Sequence, residues 1–114
     1  MRIEKVNSLI GLKIIGIINI SLRQELIILF EDNISLYFYD CIMYIDSGVI
    51  NGITKCIKEY NGEMGFVISL KGNTIDWDEY SFCYINIGEE EPFSQENKIR
   101  IAYKSAEIVS KNNR

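Results

Sequence analysis

Hydrophobic and polar positions alternate with a period of two along much of the chain. That is the spacing of strands with one buried face. Lys13–Ile20 (KIIGIINI) opens the series, and Glu25–Phe30 (ELIILF) follows with apolar residues on both faces. Glu31-Asp32-Asn33 then turns the chain into Ile34–Tyr39 (ISLYFY). There Leu36 and Phe38 point one way, and Ser35, Tyr37 and Tyr39 the other. A short polar loop between two such runs predicts a hairpin. Cys41–Ile45 (CIMYI) predicts a fourth strand, ended by Asp46-Ser47-Gly48. Before the first strand, Val6–Leu12 is expected to form one helical turn, capped by Ser8 and ended by Gly11.

Residues 50–60 fit two patterns. Ile53, Cys56, Ile57 and Tyr60 fall at helical spacing, with Lys55, Lys58 and Glu59 opposite. The stretch also runs into Asn61-Gly62, a strong hairpin turn signal, and Glu63–Leu70 (EMGFVISL) is a suitable partner strand. The strand reading is preferred on that ground. Thr74–Trp77 and Tyr80–Ile87 (YSFCYINI) predict a further strand, bent at Asp78-Glu79. Gly88–Asn97 is expected to be an acidic loop around Pro92, and Lys98–Tyr103 (KIRIAY) a last strand. From Lys104 the tail is expected to form a short helix or to fray. Gly11, Gly16, Gly62, Gly65 and Gly72 occupy turn or bulge positions.

These elements predict a mainly all-β fold: an antiparallel meander of seven or eight strands. One sheet of that width would curl, so a small sandwich or partly closed barrel is expected. Strand–helix–strand alternation is missing, which disfavours a parallel α/β sheet. At 114 residues the expectation is a single domain, 1–114, that buries roughly two-thirds of its unfolded surface. Apolar residues at 47% and charged residues at 25% exclude a disordered chain. Isoleucine is the commonest residue, with 22 copies beside ten asparagines, a bias that suits an AT-rich genome. Spacing therefore carries more weight than β-propensity.

Charge changes the picture through its distribution. The net charge is −4, yet residues 24–54 carry −5 and residues 72–97 carry −7, with no Lys or Arg in either segment. Residues 1–23 and 98–114 are basic, at +3 and +4. No basic stripe crosses the strand-rich middle, which argues against nucleic acid as a partner. An acidic surface attracts basic proteins instead. Cys41, Cys56 and Cys83 are an odd number with no CxxC spacing, and each lies among apolar residues. They are expected to be buried free thiols in a reducing cytoplasm. Lys13 interrupts the apolar run Leu9–Ile20 and no small-residue cleavage site follows, so no signal peptide is expected. No run has the ~20 apolar residues of a membrane helix.

Histidine is absent, which removes Ser-His-Asp triads, Cys-His dyads and His-ligated zinc. No GxSxG, GxGxxG or GxxxxGK motif occurs. Carboxylates, Lys, Tyr and Cys remain for acid–base work, so an enzyme is not expected, and neither is a cofactor or a metal. Asp76 and Asp78 flank Trp77, with Glu79 and Tyr80 next, and Glu89-Glu90-Glu91 follow in the acidic loop. Asp76 and Asp78 share a face of a regular strand, but the segment lacks the glycine and distal glutamate of a calcium loop. A solvated strand edge accounts for these residues. The functional alternative is a negative, aromatic surface in which Trp77 and Tyr80 anchor a basic partner and the carboxylates pair with its Lys and Arg. Glu31, Asp32, Asp40 and Asp46 form a second acidic set at turns. Tyr37 and Tyr39 either lie under another layer or form an exposed patch that marks an interface.

Leu9-x-Gly11-x-Lys13, then Leu26–Phe30 with Glu31-Asp32-Asn33 and Leu36, and later Phe66–Leu70, Trp77 and Phe82, look like small bacterial all-β proteins. With its small size, acidity and lack of a catalytic set, the chain resembles immunity proteins of contact-dependent growth-inhibition and polymorphic toxin systems. The resemblance is one of overall character. It implies a cytoplasmic protein that binds one cognate toxin, often a basic nuclease, and occludes its active site. It transfers no individual residue. Two rival expectations stand beside it. A small-ligand-binding barrel would use Asn86 or Asn19 as a polar group among inward residues. A phage or bacterial accessory domain would assemble through strand edges.

Overall fold

Leu36 and Phe38 are fully buried and alternate with half-exposed Ser35, Tyr37 and Tyr39, as the period of two requires. The same rule organises the computed structural model, which describes residues 3–60, 79–88 and 96–111. Its strands are β1 (Ile14–Ile20), β2 (Glu25–Phe30), β3 (Ile34–Tyr39), β4 (Met43–Asp46), β5 (Cys56–Tyr60), β6 (Ser81–Asn86), β7 (Lys98–Tyr103) and β8 (Ser105–Ser110). They form two four-stranded antiparallel sheets, ordered β1-β2-β3-β8 and β4-β7-β6-β5. The fold is therefore mainly β, in two layers, and is not a closed barrel. Sequential pairing holds through β1-β2-β3 and β5-β6-β7, while β8 docks on β3 and β4 on β7.

Turn chemistry fixes the β2–β3 hairpin. Asp32 and Asn33 both take left-handed φ angles, 64° and 59°, which these short polar side chains tolerate. β1 carries a bulge between Ile14 and Gly16, at one of the glycines expected there. Gly11 turns with φ of 93° after a 3-10 turn at Val6–Leu9. That turn starts at Val6 as expected, but Ser8 lies inside it rather than capping it, and its hydroxyl donates to the Lys5 carbonyl at 2.7 Å.

Two segments correct the sequence reading. Residues 50–60 are strand only over Cys56–Tyr60, with an isolated bridge from Ile53 to Lys13. Asn51, at φ 73°, and the bond from Gly52 N to Val49 O bend the chain before it. The tail is neither helical nor frayed over Ser105–Ser110, which is a full strand. Ala106 and Ile108 pack against the core while Glu107 points to solvent, so pairing with β3 covers an edge that would otherwise be open. The predicted strands Glu63–Leu70 and Thr74–Trp77 lie outside the described residues, as does most of the acidic loop.

The core lies between the sheets. Leu26, Ile28, Phe30, Leu36 and Phe38 from the first meet Cys83, Ile85, Ile99, Ile101 and Tyr103 from the second. Phe38 and Tyr103 pack edge-on, with ring centroids 4.8 Å apart and planes at 66°. The chain changes sheet twice at one corner. It leaves β3 through Asp40, and Lys104 alone links β7 to β8. Lys104 N donates to Tyr39 O at 3.0 Å, which ties the two crossings together.

Candidate functional site

Of the expected site residues, Asp76, Trp77, Asp78, Glu89, Glu90 and Glu91 lie outside the described residues. Glu79 and Tyr80 are described, at the corner just before β6. Glu79 Oε2 lies 3.3 Å from Lys104 Nζ, and that ammonium sits 5.2 Å from the centre of the Tyr80 ring. The hydrogen bond to Glu79, together with the nearby Tyr80, pushes the Lys104 pKa up. Glu79 thus spends its charge on a neighbour. Tyr80 is half-buried beside Phe82 and Ala102, so it serves in part as packing.

A second surface is better formed. Three cross-strand rows cover the outer face of the first sheet. Ile18, Ile27, Tyr37 and Glu107 make the middle row. The pairs Ile20–Glu25 and Tyr39–Ser105 lie beside it, and Gly16, Leu29, Ser35 and Val109 make the third. The Tyr37 and Tyr39 rings stack at 6.1 Å with 24° between planes. Tyr39 Oη donates to Glu107 Oε2 at 2.7 Å, a diagonal contact between β3 and β8. That hydrogen bond, then burial, then the field of Glu107 and Glu25, raises the Tyr39 pKa to about 12. Both tyrosines are half-exposed and Ile18 is 42% exposed. Of the two alternatives for Tyr37 and Tyr39, the exposed patch is the one the described residues form. Sequence periodicity isolates both tyrosines but misses Glu107, because the tail is expected to form a short helix or to fray. The alternation of Ala106, Glu107 and Ile108 was the available signal.

This face offers rings and carboxylates to a contact. Aromatic rings on a stiff sheet lose little entropy on contact, and the adjoining carboxylates accept from Lys or Arg. Among the described residues no group of His, Cys, Asp and Glu is arranged to hold a metal ion. Cys41, Cys56 and Cys83 are free thiols; burial pushes the Cys83 thiol well up and that of Cys41 to about 11. No helix among the described residues is long and apolar enough to cross a membrane. The two asparagines singled out for ligand binding separate: Asn19 is exposed, whereas Asn86 is 1% exposed on the β6 face that carries Phe82. Compared with known proteins, the chain matches no family, no curated protein and no solved structure.

Proposed function

We propose that this chain is a protein inhibitor of the immunity type, which binds one basic partner protein and blocks its active site. The observation that carries the reading is the acidic, aromatic outer face of the first sheet. Tyr37 and Tyr39 would be the buried anchors, and Glu107 and Glu25 would receive basic side chains. Four strands at ~4.8 Å and six residues at ~3.4 Å give a plan area of about 400 Å². A standard interface takes ~800 Å² from each partner, so this face supplies about half. The other half would come from surface beyond this face. The net charge of −4 favours a basic toxin over nucleic acid as the occupant.

The test is affinity capture from the source organism with tagged protein, followed by assay of the captured protein's own activity. Stoichiometric recovery of one basic protein is expected, with its activity suppressed while bound. The double variant Tyr37→Ser/Tyr39→Ser should lose it, because two central anchors cost on the order of 4 kcal/mol together. Unchanged capture by a folded double variant rules this face out. Loss with Trp77→Ala alone assigns the interface to the other acidic segment.

A further inference from the structure

Six large apolar side chains are exposed among the described residues: Ile10, Ile15, Ile18, Leu22, Ile50 and Ile53. They gather along β1. Ile15 and Ile18 lie on the strand, 53% and 42% exposed, and Leu22 tips the hairpin that follows it, 99% exposed. Ile10 precedes the strand. Ile50 and Ile53 belong to the segment hydrogen-bonded to its start, where Ile14 N donates to Gly52 O and Asn51 N to Ile14 O. Among the described residues β1 is an end strand of the first sheet, and Ile14–Ile20 carries no charge. Edge strands are normally protected by charged residues against pairing with another chain.

The backbone fixes how another strand would fit. Ile14 turns its N–H and C=O away from β2, toward Gly52 and Asn51. Ile15 is the extra residue of the bulge, so the alternation restarts at Gly16, opposite Leu29. From there Gly16, Ile18 and Ile20 turn their backbone groups to β2, and Ile17 and Asn19 turn theirs outward. Antiparallel self-pairing has one register that uses both outward residues. Ile17 of each copy exchanges hydrogen bonds with Asn19 of the other, and the two-fold axis passes between the two copies of Ile18. An axis at Ile17 would set Asn19 against the bulge, and an axis at Asn19 would set Ile17 against Ser21 in the 3-10 turn. The Ile18 register also carries Leu22 of each copy to the Ile14–Ile15 end of the other, beside Ile50 and Ile53. The exposed apolar groups at the two ends of β1 are therefore matched by a two-fold, and that self-complementarity selects a second copy as the occupant.

We propose that this chain forms a two-fold symmetric dimer through β1, which joins the first sheets of two copies into one continuous sheet centred on Ile18. The free edge, Ile15–Ile20, is about 20 Å long at ~3.4 Å per residue. That is short of a standard interface, so the dimer is reversible and depends on concentration. It uses the edge of the sheet rather than the tyrosine face, and does not rest on the inhibitor reading.

The experiment is sedimentation equilibrium of the whole chain from about 10 μM to about 1 mM, with amide hydrogen exchange by NMR at both ends of that range. A monomer–dimer equilibrium with no larger species is expected, and the Ile17 and Asn19 amides should exchange severalfold more slowly at the higher concentration. Ile18→Lys and Ile18→Glu each set like charges across the axis and should weaken association by about tenfold or more. Mixing the two variants sets opposite charges across it and should restore association as a heterodimer. The exchange measurement uses the unsubstituted chain, so it stands whether or not the variants fold. A chain that stays monomeric throughout, exchange at Ile17 and Asn19 that ignores concentration, undiminished association of either folded variant, or a mixture that associates no more tightly than its components would each overturn the proposal.

Discussion

Tyr39 and Glu107 are 68 residues apart in sequence and joined by a 2.7 Å hydrogen bond on the outer face of the first sheet. The bond exists because β8 lies against β3 with Tyr37 opposite Glu107. It sets a titration that can be measured. The Tyr39 phenol should ionise near pH 12. In Glu107→Gln the charge that opposes phenolate formation is gone, and the value should fall back toward ~10. Ultraviolet titration of each protein minus its Tyr39→Phe counterpart isolates this residue. The sign for stability follows. A pKa raised by folding contributes below the unfolded value of ~10 and is lost as pH climbs from there through about 12. A Tyr39 titration that ignores Glu107→Gln would contradict the contact.

Tyr103 presents the opposite case. It is fully buried, its ring packs on Phe38, and its hydroxyl has no hydrogen-bond partner. An unsatisfied buried hydroxyl costs on the order of 1–3 kcal/mol. Tyr103→Phe keeps the ring and removes the cost, so urea unfolding should show a gain of about 1 kcal/mol. A loss of that size would mean that the hydroxyl bonds an internal water.

Ile108 decides how the tail is held. The strands Glu25–Phe30, Ile34–Tyr39 and Lys98–Tyr103 were legible to the residue, because alternation and turn chemistry agree there. The tail was not legible. Ser, Ala and Glu in SAEIVS are weak strand formers, and only long-range pairing with β3 makes them one. The aromatic face was half legible for the same reason, since its tyrosines are local and its carboxylate comes from that tail. Ile108 packs inward and Glu107 outward. Ile108→Asp should therefore cost about 2 kcal/mol or more, whereas Glu107→Val, which gives up only the exposed Tyr39 hydrogen bond, should cost about 1 kcal/mol or less. Equal costs in chemical denaturation would refute the register.

Gly52 is a position where sequence reading found no special demand and packing imposes one. A Cβ there would lie 2.2 Å from Ile87 Cδ1 and 2.9 Å from Ile87 Cβ. The backbone cannot retreat freely, because Gly52 O accepts from Ile14 N at 2.9 Å and its N–H donates to Val49 O at 3.0 Å. Gly52→Ala should destabilise by about 1–3 kcal/mol. Adding Ile87→Ala should recover part of that loss, and a double-mutant cycle reads the coupling. Strictly additive costs would place the strain elsewhere.

The thiols rank by burial, and their chemistry should follow. Cys83 is fully buried behind Ile85 and Ile101 in the core, and desolvation, with Glu59 adding to it, drives its thiol well up. Cys41 is half-buried at the sheet-to-sheet corner, and burial raises it from 9.0 to about 11. At pH 8 its thiolate is then roughly a hundredfold scarcer than that of an ordinary cysteine, and the thiolate is the species that reacts. Cys56 is half-buried on β5. Ellman's reagent should therefore modify Cys41 slowly, with Cys83 silent until the fold opens in denaturant. The Cys41 rate should keep climbing tenfold per pH unit up to about 11, where a surface thiol has already levelled off. A Cys41 that reaches its plateau near pH 9 would show that the corner between β3 and β4 is open to water, and with it the crossing that carries Tyr39 onto the outer face of the first sheet.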